Sequence, residues 1–355
     1  MKKVIAASLL LLATKGFAQS DSTKPPLSFS GYTEVYYSYD FGKPADHNRP
    51  AFVYSYNRHN EVNLNLGFVK AAYQTDNARA NLALAAGTYM NANLSAEKGV
   101  LKNVFEANAG VKIAGQKNLW VDAGIFASHI GFESAIGKDC WNLTRSILAD
   151  NSPYYESGAK ISYTSDNGKW FISGLILNGW QRIQRVDGNN TPAFGHQLTY
   201  KPSDKVTLNS SSFIGSDKPD STRQMRYFHN FYGIFQISGN FALTTGFDMG
   251  AEQKAKGSSS YNTWYSAVLI ARYTPAARHC LAARTEYYND KNGVIVGTNG
   301  FRTWGYSLNY DYLVRDNVVW RVEGRAFSSR DRIFAQNGKP GNNDFFLTTA
   351  LAVSF

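Results

Sequence analysis

The chain closes on DFFLTTALAVSF, Asp344 to Phe355, and the parity of these residues decides the fold. Phe345, Leu347, Thr349, Leu351, Val353 and Phe355 share one side, five of the six apolar, while Phe346, Thr348, Ala350, Ala352 and Ser354 are mostly small or polar. A period of two marks a strand with one apolar face. A strand that stops on an aromatic, with no tail over its edge, needs another strand to cover it.

Working outward from this segment, the same alternation runs back through most of the chain. Strands are predicted at 29–41, 61–75, 78–92, 103–115, 119–128, 154–165, 169–180 and 193–201. Eight more fall at 205–214, 226–238, 240–252, 261–274, 278–290, 300–313, 318–330 and 344–355, making sixteen. Most exceed the roughly 5–6 residues of globular strands and match the roughly 9–11 needed to cross a bilayer at a tilt. Seven connections are tight and rich in turn formers: Asp76-Asn77, Gly115 to Asn118, Asp166 to Gly168, Pro202 to Asp204, Ser238-Gly239, Pro275 to Ala277 and Val314 to Asn317. The other eight are longer, and the two kinds alternate strictly. Antiparallel strands joined this way place every tight turn and both chain ends on one side. That is the layout of an outer-membrane barrel with periplasmic turns and external loops.

The faces agree. Strand 103–115 sets Phe105, Ala107, Ala109, Val111 and Ile113 against Glu106, Asn108, Gly110 and Lys112. Strand 240–252 sets Phe241, Leu243, Phe247 and Met249 against Thr244, Asp248 and Glu252. Strand 300–313 sets Trp304, Tyr306, Leu308, Tyr310 and Tyr312 against Thr303, Ser307, Asn309 and Asp311. Many apolar faces end in Tyr, Trp or Phe, as at a lipid interface. Strands 169–180 and 261–274 are apolar on both faces. Lys70 falls on the apolar parity of its strand, which predicts a side chain snorkelling at the interface.

The first 18 residues have a basic start, an apolar run from Val4 to Ala13, and Gly16 and Ala18 before the expected cleavage point. They read as a secretory signal peptide, followed by a polar leader at 19–27 and one barrel domain at 28–355. Losing Lys2, Lys3 and Lys15 lowers the formal net charge from +10 to +7. The charge is scattered and forms no basic stripe, which argues against nucleic acid. Cys140 and Cys280 make no disulfide framework, and the topology predicts them toward opposite ends.

Several motifs resemble a known family. RHNEVNLNL (Arg58 to Leu66) and RANLALAAGTY (Arg79 to Tyr89) are two; SPYYESGAKISY (Ser152 to Tyr163) and LNGWQ (Leu177 to Gln181) are two more. Together they are similar to the Bacteroidetes outer-membrane porins of the β-barrel porin family two, OmpL-like group, over roughly 30–355. The resemblance implies a barrel and passive transport, and carries over no defined catalytic or binding residue.

The third long loop, 129–153, is the longest. In general porins of sixteen strands the corresponding loop narrows the lumen, so Glu133, Lys138, Asp139 and Arg145 are candidate constriction residues. Leu143 to Ala149 is expected to form one or two helical turns capped by Asn142. The alternative is that this loop covers only the external mouth. Glu106, Lys112, Asp248, Arg284, Glu286, Arg321, Glu323 and Arg325 are candidate pore-lining residues, since Arg or Lys facing lipid at mid-depth costs roughly 2–4 kcal/mol. They form either a basic wall favouring anionic or zwitterionic solutes, or a salt-bridge ladder.

No enzyme is expected. Ser95 to Lys98 matches SxxK and Ser165 to Asn167 matches SDN, but no KTG accompanies them and they lie on opposite sides. The six histidines are dispersed, so no metal or other cofactor is expected. The expected fold is an all-β, sixteen-stranded antiparallel transmembrane barrel, closed by pairing the first strand with the last. The leading function is a porin-like channel for small hydrophilic solutes; the alternative is a plugged barrel whose external loops bind a partner or surface ligand. Outer-membrane lipid is one expected partner, and the barrel-insertion machinery, reading the terminal Phe355, is another. General porins of this strand number suggest a homotrimer.

Overall fold

A computed structural model describes residues 25–355; the expected signal peptide and most of the leader lie outside the described residues. The first strands are β1 (Leu27–Asp40), β2 (Val62–Gln74), β3 (Ala78–Ala86), β4 (Val104–Lys112), β5 (Asn118–Ala127) and β6 (Tyr155–Thr164). There follow β7 (Trp170–Leu177), β8 (Ala193–Ser203), β9 (Val206–Gly215), β10 (Arg226–Gln236), β11 (Phe241–Gln253) and β12 (Tyr261–Ala276). The last are β13 (His279–Asn292), β14 (Asn299–Arg315), β15 (Val318–Ser329), β16 (Phe334–Gln336), β17 (Lys339–Gly341) and β18 (Asn343–Ser354). β16 and β17 form a small hairpin inside the eighth long loop; the other sixteen close into one barrel. The seam is β1 on β18, from Tyr32 opposite Ser354 to Asp40 opposite Phe346. Beyond it, the Gly31 and Phe355 backbones exchange two hydrogen bonds, at 2.7 and 3.0 Å. Closure leaves the sheet no free edge, so the terminal strand is covered as its sequence requires.

Outward and inward faces follow the alternation over most of the wall. Trp304, Tyr306, Leu308, Trp320, Phe345 and Leu347 lie outside, while Thr303, Asn309, Arg321, Glu323 and Thr348 are buried inside. Two β-bulges break the pattern. Between β1 and β2 the register steps from Leu64–Val35 to Leu66–Glu34, leaving Asn65 unpaired in the ladder. Val62 and Leu64 therefore point outward, whereas Leu66, Phe68 and Lys70 point inward. Lys70 does not snorkel at the lipid interface: its Nζ lies 2.6 Å from Glu106 Oε2. Between β3 and β4 the step from Ala83–Glu106 to Leu84–Val104 frees Phe105. Phe105 consequently leaves the outward row of Ala107 and Val111 and stacks on Phe68, ring centroids 5.2 Å apart.

The third strand ends earlier than its alternation predicts. Gly87 has φ +132°, and a Cβ there would sit 2.3 Å from the Asn65 carbonyl oxygen, so the chain turns off the wall where only glycine fits. The segment expected to continue the strand instead forms α1 (Thr88–Asn93), whose Tyr89 and Met90 are buried. A second short helix, α2 (Ile147–Asp150), lies in the third long loop.

Candidate functional site: the loop-filled lumen

The third long loop, between β5 and β6, enters the barrel and runs down its inner wall. Asn309 Oδ1 accepts from the Leu143 amide at 3.0 Å, Glu323 from Thr144 at 2.5 Å and Glu286 from Ile147 at 2.6 Å. Arginines on the same wall donate to loop carbonyls: Arg284 to Thr144 at 2.7 Å, Arg325 to Arg145 at 2.6 Å, and Arg321 to Gly137 at 2.6 Å and Cys140 at 2.9 Å. At the far end Lys138 Nζ reaches Ser354 Oγ at 2.8 Å, beside the tight turns. The loop thus descends nearly the full height of the wall formed by β13, β14, β15, β18 and β1.

Its local conformation follows from these partners. Because wall side chains take the Leu143 and Thr144 amides, helix starts later than the sequence suggests. Ser146, not Asn142, caps the single turn of α2, its Oγ accepting from the Ala149 amide at 3.1 Å. The Glu133 carboxylate bonds both the Ser146 amide, at 3.0 Å, and its hydroxyl. Asn142 instead donates to Ser307 Oγ at 3.2 Å. Arg145 projects into no open passage: its guanidinium donates to the Ser134, Leu143 and Ala135 carbonyls at 2.6, 2.7 and 3.2 Å. Lys138 and Asp139 remain exposed.

The descent also moves Cys140. Arg321 joins the Cys140 carbonyl to Asp311 (2.6 Å), and Asp311 lies opposite Cys280 in the β13–β14 ladder. The two cysteines therefore lie toward the same end, contrary to the expectation from topology, and both are free and buried.

The charged residues of the last third form one cluster behind the loop. Arg284 pairs with Glu323 at 2.9 Å and Glu286 at 3.4 Å, Arg325 pairs with Glu286 at 2.5 Å, and Glu133 joins from the loop at 3.8 Å from Arg284. All five are almost completely buried. Removing one partner of such a cluster costs about 3–5 kcal/mol, because the other charge stays behind unpaired. Asp248 is buried separately and accepts from Asn230 at 2.5 Å.

The adjoining wall, β2 to β6, which runs on from β1, carries the water-facing charge. Besides Lys70–Glu106, Arg79 grips Asp122 through Nε (2.6 Å) and Nη2 (2.5 Å), and Lys112 and Lys160 are half-buried there. A cavity of about 270 Å³ separates this wall from the loop, lined by Phe105, Glu106, Phe132, Ile136, Tyr154 and Tyr155 among others.

At the long-loop end the inner face turns apolar. Phe301, Phe327 and Phe346 point inward, and Phe52 of the first long loop packs on the first two, with ring centroids at 4.7 and 5.3 Å. Phe334 of β16 completes the cluster, 5.9 Å from Phe327. Sequence reading missed Phe301, Phe327 and Phe346 as part of this cap because each is a lone aromatic on an otherwise polar parity.

The upper hinge of the third loop is held by a buried ion pair. His129 Nδ1 lies 2.8 Å from Glu156 Oε2 and Nε2 lies 2.8 Å from the Ser212 carbonyl oxygen. Both partners only accept, so both ring nitrogens carry protons. Burial opposes that charge, but the Glu156 carboxylate outweighs it and raises the ring above its ordinary range. Burial likewise pushes the Asp150 carboxyl of α2 up to about 7, against the pull of Arg325 and Arg145.

No curated protein sequence matches the chain. Among solved structures, the barrel is similar to the outer-membrane expressed OmpT of Vibrio cholerae, with TM-score 0.61 at 10% identity, covering 94% of this chain and 99% of that one. It is similar to an anion-selective porin from Comamonas acidovorans, with TM-score 0.62 at 7% identity, covering 93% and 99%. OmpT of Vibrio cholerae in a trimer form gives TM-score 0.59 at 10% identity, covering 93% and 99%. At these identities the likeness is one of fold. The family model described as "Putative beta-barrel porin-2, OmpL-like" matches residues 26–355, and the chain belongs to that family of outer-membrane β-barrel porins.

Proposed function

We propose that this porin is a narrow channel for small hydrophilic solutes, with the third external loop as its constriction. The observation that carries this reading is the descent of residues 129–153 down nearly the full height of one wall, beside a charged and partly water-exposed wall on β2 to β6. Solutes pass between the loop and that second wall. There Lys70, Arg79, Lys112 and Lys160 outnumber Glu106 and Asp122, so anions are favoured over cations. The preference resides on β2 to β6, because Arg284, Glu286, Arg321, Glu323 and Arg325 are committed to holding the loop. In this reading the chain is exported by its signal peptide to the outer membrane of a Gram-negative bacterium of Bacteroidetes type and assembles as a homotrimer. A trimer mass in mild detergent supports that assembly, and a monomer mass refutes it.

The proposal includes no catalysis. Ser95 lies in the second external loop and Ser165 in a tight turn at the other end, so the two motif fragments cannot share a substrate. A second reading, a plugged barrel that binds ligands outside, draws on the apolar cap of Phe52, Phe301, Phe327 and Phe334 over part of the mouth. Planar-bilayer recording separates them. The wild type should give small discrete steps, and deletion of Lys138 to Ala149 should enlarge them. An inserted wild type without conductance, or with no size-dependent permeation in liposome swelling, favours the plugged barrel.

A further inference from the structure

The outer wall of the barrel carries a patch whose chemistry does not suit hydrocarbon. On the outward faces of β8, β9 and β10, His196, Ser212 and His229 are directly paired across neighbouring strands. Followed from strand to strand, their row begins at Ala78, beside the Asp76-Asn77 turn. It ends at Arg302, held by Asp331 of the eighth long loop. The three residues stand midway along that row, and so at mid-depth of the wall. Phe194 and Ile214 lie on the long-loop side of them, and Leu198, Leu208 and Phe231 on the tight-turn side, all exposed outward. Ionisable side chains at such depth are costly and mark functional positions.

Ser210, one step lower on β9, joins the three into a chain of hydrogen bonds. Ser212 Oγ lies 2.6 Å from His196 Nδ1, His196 Nε2 lies 3.4 Å from Ser210 Oγ, and Ser210 Oγ lies 2.8 Å from His229 Nε2. A neutral imidazole has one donor and one acceptor nitrogen, and a hydroxyl has one proton. Whichever way the protons point, one end of the chain keeps an unused donor and the other an unused acceptor. Those ends are His229 Nδ1, which has no partner among the described residues, and the Ser212 hydroxyl. Stacking on Phe231, with ring centroids 4.1 Å apart, holds the His229 ring in place. A polar group left without a partner in hydrocarbon is expensive. These groups are also within reach of a ligand, since His196 is exposed and Ser212 and His229 are only half-buried.

A groove of about 770 Å³ runs from this patch toward the long loops. Ala251 and Thr263, short side chains in the row of Tyr227, give it depth, while Tyr227, Phe247 and Tyr265 stand exposed along it. We propose that the groove binds a lipid chain carrying a hydroxyl partway along its length, the hydroxyl resting on the His–Ser chain. A hydroxyl both donates and accepts, so it completes either end in either proton order, whereas an ester or ketone only accepts. A second barrel fits less well: its convex wall meets the exposed aromatics first, while a single chain lies between them. The site is outside the barrel and does not depend on whether the lumen conducts.

The test is native mass measurement of the folded barrel in mild detergent, titrated separately with stearate, 2-hydroxystearate and 12-hydroxystearate. The last carries its hydroxyl deep in the chain and should bind about tenfold more tightly than stearate. 2-Hydroxystearate carries it beside the headgroup and should match stearate. His229→Phe and Ser212→Ala suit a lipid-facing position; each should lower 12-hydroxystearate to the level of stearate and leave stearate unchanged. Ala251→Trp, which fills the groove, should remove binding of all three. Should a variant lose the gel mobility of the folded barrel, the wild-type comparison of the two positional isomers decides alone. Equal binding of 12-hydroxystearate and stearate, or of the two isomers, overturns the proposal. Zinc chloride is titrated in parallel: zinc binding that His229→Phe abolishes, without selective 12-hydroxystearate binding, overturns it in favour of a metal site. A change of oligomeric mass in His229→Phe, again without that selectivity, overturns it in favour of contact between copies.

Discussion

Replacing Arg321 with methionine should release the lower half of the third loop while leaving the barrel intact. Arg321 donates to Asp311 at 2.6 and 3.0 Å, to the Gly137 and Cys140 carbonyls at 2.6 and 2.9 Å, and to Trp141 at 3.3 Å. Methionine keeps the aliphatic stem and removes every donor. Each buried acceptor left unpaired costs about 1–3 kcal/mol. Asp311 retains Asn309 at 2.8 Å and some solvent, so its share is discounted. The two well-placed carbonyls then contribute about 3 kcal/mol together, or roughly a hundredfold in the opening equilibrium of that segment. On the loop segment before Thr144 there would remain the Leu143 amide and Trp141 carbonyl on Asn309 (3.0 and 3.4 Å), Asn142 on Ser307 (3.2 Å), and Lys138 on Tyr32 OH (3.3 Å) and Ser354. The assay is hydrogen exchange of the amides from Gly137 to Trp141, paired with single-channel recording. Exchange there should rise about a hundredfold and longer, larger open levels should appear, whereas Arg223→Met, at an exposed loop arginine, should do neither. Unchanged protection of those amides in a folded Arg321→Met barrel would refute the anchoring argument.

Three further outcomes are expected. The loop should be held more firmly in mild acid than in alkali. His129 and Asp150 both have folded pKa values above their unfolded ones, so each contributes stability that is complete below the unfolded value and lost as pH rises through the folded one, for Asp150 between about 4 and about 7. Measuring loop exchange against pH, with His129→Gln and Asp150→Asn each flattening part of the curve, checks the sign; greater protection at high pH would contradict it. Lys160→Glu should shift the zero-current potential in a salt gradient toward cation preference, and the same potential in wild type and variant would remove the β2–β6 wall from the conduction path. Deleting Phe355 removes the last pair of seam hydrogen bonds and the ring beside Gly31. The folded fraction after expression should fall, while barrels that do form should conduct as wild type; normal yields would count against an assembly role.

What was legible in the sequence was what the backbone repeats locally. The alternation located sixteen strands, and the turn residues separated tight from long connections, because period and turn chemistry depend on neighbours. The bulges at Asn65 and Phe105 escaped, since one extra residue leaves the alternation visible but reverses what it means on one side. Lys70 is the consequence: its parity looked outward, and the bulge before it turned it toward Glu106. The course of the third loop was legible only as length. Its anchors join Thr144 to Glu323 and Ile147 to Glu286, residues far apart in sequence whose types say nothing of one another. Arg284, Glu286, Arg321, Glu323 and Arg325 were identified as inward-facing, but no local signal shows that a loop covers them.

That covering makes the same residue type mean two different things on two sides of one barrel. A sixteen-stranded wall is wide enough to enclose water, and this chain uses part of that width to enclose itself. On β13 to β15 an arginine is an interior residue: Arg325 is almost wholly buried between Glu286 and the Arg145 carbonyl, and its loss leaves the buried Glu286 with only the longer Arg284 contact (3.4 Å) and the Ile147 amide. On β2 to β6 a lysine lies half-buried beside remaining space, as Lys160 does, and its loss changes the field a solute meets more than the stability of the fold. Net charge or inward parity alone therefore predicts neither selectivity nor stability here. The deciding quantity is which wall the third loop lies against, and that wall is selected by the carboxylates and arginines that satisfy its backbone. In the proposed channel the loop's path and the location of the conducting surface are thus one property, written in Glu286, Arg284, Arg321, Glu323 and Arg325.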